Sequence, residues 1–98
     1  MQPDSSTTSS VAPLVVERVQ TGVRMEKRMV KVLKALAEYY DMSLGDLLEG
    51  IVLHAFANCS PFSPETLQRI AQLKEVYGMS YDVAQSHRLA DDRATHDA

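Results

Sequence analysis

The sequence predicts a mainly α-helical protein with one short strand near its start. Three observations carry that expectation. Between residues 18 and 25, Val19, Thr21, Val23 and Met25 alternate with Arg18, Gln20, Gly22 and Arg24, the period-2 pattern of a half-buried strand. From Met29 onward the apolar period becomes that of a helix. The helical stretches are also punctuated by Ser43, by Ser63 with Pro64, and by Gly78, residues that start and stop helices.

The elements follow in order. Residues 1–14 are Ser/Thr-rich, contain two prolines and have almost nothing to bury, so a disordered tail is expected. Met29, Val32, Leu33, Leu36, Ala37 and Tyr40 form an apolar stripe on a first helix of roughly 26–40. "DMSLGD" interrupts it: Asp41 tolerates a left-handed turn, and Ser43 is a good N-cap for a second helix of roughly 44–57. That helix carries Leu44, Leu47, Leu48, Ile51, Val52, Ala55 and Phe56, more apolar surface than one neighbouring helix covers. A third helix is expected from Ser63 and Pro64 to Tyr77, stopped at Gly78, and a short fourth after Ser80, Tyr81 to Leu89. The organisation expected is a tail (1–14), a central domain (15–58) and a helical extension with a frayed end (59–98).

A chain of 98 residues buries a modest core by itself, and association is a natural supplement. Its net charge of −3 is unevenly spread. Between Glu17 and Lys34 six bases (Arg18, Arg24, Lys27, Arg28, Lys31, Lys34) face two acids, whereas from Ala35 onward ten acids face four bases. Local field decides contact, so the basic stretch can attract an anionic partner despite the acidic total. The single Cys59 excludes an internal disulfide and suits a reducing compartment. No apolar run approaches the ~20 residues of a membrane span, and the first residues lack the basic start and apolar core of a signal peptide. A cytoplasmic protein is expected. His54, His87 and His96 have no acid or Cys at metal-ligand spacing, and Cys59 has no evident His–acid partners. Neither an enzyme nor a cofactor is expected.

Strand, helix, tight turn and Ser-started helix within about forty residues ("TGVRM" with "LAEYYDMSLGDLLEGIVLHAF") resemble the ribbon-helix-helix family of small bacterial regulators, which includes Arc and MetJ. The resemblance covers roughly Arg18 to Ala57. It implies an intertwined homodimer in which two copies of the strand pair antiparallel, here with an added C-terminal helix. It further implies a repressor-like regulator whose ribbon enters the major groove of double-stranded DNA. Arg18, Gln20, Gly22 and Arg24 would then face the bases, Arg reading guanine and Gln adenine. Ser43, Leu44 and the amides after them would hold a phosphate at a helix start, and Lys27, Arg28 and Lys31 would add backbone contacts. A second reading, from another class, is a protein-interaction module with little or no DNA binding, whose basic face docks an acidic partner. An antitoxin joins the two readings, with the C-terminal extension (residues 59–98) as the segment that docks a protein partner.

Overall fold

A computed structural model of the protein describes residues 12–91. Three helices make up its regular structure: α1 (Lys27–Tyr39), α2 (Leu44–Phe56) and α3 (Pro64–Tyr77). Their starts follow from side chains that fill free amides at helix N-termini. Ser43 Oγ accepts from the Asp46 N–H at 3.0 Å, and Ser63 Oγ from that of Thr66 at 3.2 Å. α1 is capped by a less usual residue, Glu26. Its carboxylate accepts from the backbone N–H groups of Arg28 (3.1 Å) and Met29 (3.3 Å), and its charge suits the positive end of the helix dipole. Each helix is followed by a left-handed residue, Asp41 (φ 58°), Asn58 (φ 57°) and Gly78 (φ 71°). Met42, Cys59 and Met79 then return their N–H groups to Ala37, His54 and Lys74 carbonyls, which satisfies acceptors the last turn leaves open.

α1 is the central helix and packs against both α2 and α3, more extensively against α3. It supplies Val32, Leu36 and Ala37 to the core, and α2 adds Leu47. Leu33, Ile51, Phe62, Ile70 and Leu73 pack around them, partly buried. Polar contacts fasten α1 to α3: Tyr40 and Thr66 share a hydrogen bond of 2.7 Å, and Arg69 Nη2 donates to Tyr39 Oη at 2.8 Å. No helix among the described residues is long and apolar enough to cross a membrane.

The expected strand is absent. Residues 18–25 carry no regular structure, and there is no strand among the described residues. The face meant for a core is open, with Val19 77% and Val23 75% exposed. This removes the ribbon, and with it the ribbon-helix-helix architecture and the intertwined homodimer it implies; the fold is a small all-helical one. The physical reason is that alternation only assigns side chains to opposite sides of a chain, whereas a strand exists through ladder hydrogen bonds to a neighbour. Two ion pairs hold this segment in place of a ladder: Arg18 with Glu49, and Arg24 with Asp91.

The expected fourth helix is likewise reduced to a single 3₁₀ turn, Val83–Gln85. Asp82 caps it through the Ala84 N–H at 3.0 Å, but His87 adopts φ 64° and ends it. So short a stretch has too few bonds to offset helix nucleation. The tail expected at 1–14 lies, through residue 11, outside the described residues, as do residues 92–98 of the frayed end.

Candidate functional site: the outer face of the second helix

α2 places Leu47 and Ile51 on the core. Nine residues, two and a half turns, separate Leu47 from Phe56, so the two point in opposite directions. On that outer side stand Gly45, Glu49, Val52 and Phe56, at intervals of four, three and four residues, with Leu53 beside them. Val52 is 44%, Leu53 66% and Phe56 83% exposed. Gly45 is open too: a Cβ added there would meet nothing within 4 Å. Its apolar positions are open to solvent.

Arg18 reaches the one charged position on it. Its Nε and Nη2 donate to Glu49 Oε2 and Oε1, both at 2.8 Å, the two-pronged geometry that favours Arg over Lys. The hydrogen bond from Arg18 holds the Glu49 carboxyl below its ordinary value. The leading segment is thereby tied to α2, with Leu14, Val15, Val16 and Val19 left open around the tie.

The residues expected to meet DNA are scattered over the molecule. Arg18 lies on α2, and Gln20 and Gly22 are exposed in the leading segment. Arg24 Nη2 donates to Asp91 Oδ2 at 3.1 Å, so both arginines expected to read bases are held by carboxylates. Arg28 is a structural residue. It donates to Glu26 Oε2 (3.0 Å) and to the Gly78 carbonyl (3.0 Å), and lies 5.5 Å from the centre of the Tyr81 ring. Lys31 sits 5.9 Å over the Tyr77 ring. Lys27 and Lys34 are exposed, and no described carboxylate pairs with any of the three lysines. Ser43 is occupied as the α2 cap, and Leu44 is half-buried.

Elsewhere, a shallow apolar cleft of about 360 Å³ lies between α1, α2 and the turn before α3, with Leu36, Leu47, Ile51 and Phe62 in its walls. Two of its polar groups are engaged, Tyr40 with Thr66 and His54 Nδ1 with the Gly50 carbonyl at 2.7 Å, and the Asp46 carboxylate also lines it. No group of three His, Cys, Asp or Glu side chains able to hold a metal occurs among the described residues. His96 lies outside them. Cys59 is a free, exposed thiol.

Sequence reasoning missed Glu26 and Tyr81 as partners. Tyr81 Oη donates to Glu26 Oε1 at 2.6 Å across 55 positions of chain, and no local pattern marks such a pair. The excess apolar surface of α2 was the legible signal. Comparison with models of known families, with curated proteins and with solved structures found no match to this chain.

Proposed function

We propose that this chain is a small helical protein-interaction module, and that the outer face of α2 is its docking surface. The observation that carries this is the uncovered row Val52, Leu53 and Phe56 on a helix whose opposite side already serves the core. Contiguous exposed apolar surface is a recognised mark of a protein-contact site, and Phe is among the side chains enriched at interfaces. The leading segment is tied to the same helix through Arg18 and Glu49. The free Cys59 suits work in a reducing, cytoplasmic setting.

A second reading, DNA binding by a transcriptional regulator, retains one favourable observation: Lys27, Lys31 and Lys34 lie along α1 without described carboxylate partners. Lysines of that kind supply salt-dependent affinity for phosphates but no sequence information. The arginines that would supply it are paired internally.

The two readings separate in one capture experiment on cell extract. It compares wild type, Phe56→Glu, and a variant carrying Lys27→Ala, Lys31→Ala and Lys34→Ala. A defined protein lost with Phe56→Glu and retained by the lysine variant is the expected outcome. Enrichment of particular DNA fragments that disappears with the lysine variant alone would transfer the function to the regulator.

A further inference from the structure

The cleft between α1, α2 and the turn before α3 opens on a different flank of α2 from Val52 and Phe56. Its volume of about 360 Å³ lies at the small end of the range for ligand clefts, about 300–1,000 Å³. Leu36, Leu47, Ile51 and Phe62 make its walls apolar, and Tyr40 adds a second ring. Gly50 keeps it open. This residue stands one helical turn after Asp46 and one before His54, both of which line the cleft. Nothing in the fold requires a glycine there: its φ is not left-handed, and an added Cβ would meet nothing within 4 Å. Glycine inside a helix weakens it relative to alanine, and here it leaves the floor between Asp46 and His54 bare.

The charge at the cleft has one sign. Asp46 brings a carboxylate, and no Lys or Arg is among the described residues that line it. The Asp46 amide serves the Ser43 cap, while its carboxylate forms no ion pair with a described residue. Arg18 is close enough to feel that charge, but Glu49 holds its guanidinium through two nitrogens. His54 gives its Nδ1 proton to the Gly50 carbonyl at 2.7 Å, so in the neutral ring Nε2 is an acceptor. The charged group and the spare imidazole nitrogen therefore both call for a donor, and aromatic faces such as those of Tyr40 and Phe62 attract cations.

We propose that this cleft binds a small organic ammonium, its cationic nitrogen on Asp46 and its apolar body against Leu47, Ile51 and Phe62. A neutral apolar molecule would cover the carboxylate without pairing it, which is unfavourable, and an anion would be repelled. The site is independent of the docking face on the outer side of α2, and neither requires the other.

Titration of the full chain with hexylammonium, hexanol and hexanoate, followed by backbone amide NMR shifts, tests this with probes of one shape and different charge. Hexylammonium is expected to saturate a site whose shifts centre on residues 46–54 and Phe62. Its dissociation constant should be lower than that of hexanol by about tenfold or more, with hexanoate weakest. Asp46→Asn should bring hexylammonium to the affinity of hexanol and leave hexanol unchanged. Gly50→Leu should abolish binding of both while circular dichroism shows the helices retained, and Gly50→Ala should weaken both part way. Equal affinities for hexylammonium and hexanol, or a hexylammonium affinity indifferent to Asp46→Asn, would overturn recognition by charge. Shifts that persist in a helical Gly50→Leu, or none that saturate at millimolar probe, would overturn the cleft as the site.

Discussion

Glu26 gathers four hydrogen bonds on its carboxylate, from the Arg28 and Met29 amides, the Arg28 Nε and the Tyr81 hydroxyl. Partial burial pushes its pKa up, but the hydrogen bonds from Tyr81, Arg28 and Met29 outweigh that and hold it down at about 2. Desolvation, then the bond to Glu26, pushes Tyr81 the other way, up to about 12. The sign of the first is plain: with the folded value depressed, the contribution of Glu26 is complete above pH about 4.5 and is lost as pH falls toward about 2. Chemical denaturation at a series of acid pH values should show that loss. Glu26→Gln should flatten it, while lowering stability by about 1 kcal/mol at neutral pH through the weakened cap. A Glu26→Gln protein with the wild-type acid slope would show that other carboxylates control it. The raised Tyr81 works in the opposite direction, its contribution present below pH about 10 and lost as pH rises through about 12.

Among the elements, α1 is the one the others need. Leu36 is 1% exposed at the meeting point of the three helices, and Leu36→Ala should lower stability by about 2–5 kcal/mol. That is a large share of what so small a domain possesses, so the variant should be mostly unfolded by circular dichroism at room temperature. The helix stops differ in what they tolerate. Gly78 sits at φ 71°, where an added Cβ is strained, and Gly78→Ala should cost about 1 kcal/mol. Gly45 lies inside α2 at an ordinary helical position with open surroundings. Gly45→Ala should therefore raise the helix's own stability by up to about 1 kcal/mol. Thermal melts at low protein concentration measure both, and opposite signs are expected.

Across the whole molecule, long-range polar ties hold the ends: Arg18 to Glu49 on α2, Arg24 to Asp91 between the leading and trailing segments, and Tyr81 to Glu26 at the start of α1. The two ion pairs are exposed, and pairs of that kind contribute little to stability and weaken with salt. Backbone NMR order parameters over residues 18–25 should accordingly fall at high salt, and Arg18→Ala should reproduce the effect at low salt. The Glu26–Tyr81 contact, better shielded, should be insensitive to both.

Much of the helical architecture is local chemistry and was legible as such. Ser43 and Ser63 with Pro64 mark two helix starts, Asp41 and Gly78 two stops, and the 3.6-residue stripes name Val32, Leu36, Ala37 and Leu47 as core. The excess of apolar residues in α2 likewise announced a surface wanting cover. Other features depended on partners remote in the chain. Whether residues 18–25 become a strand is decided by what lies beside them, and the three-dimensional arrangement offers Glu49 and Asp91 rather than a second strand. Whether Arg18 and Arg24 stand free is decided the same way, as is the role of Glu26, whose hydroxyl partner is 55 residues distant. Periodicity and caps act within a few turns of backbone and can be read from neighbouring letters. Ion pairs, burial and strand pairing depend on which distant segments the packing brings together, and only the folded chain settles those.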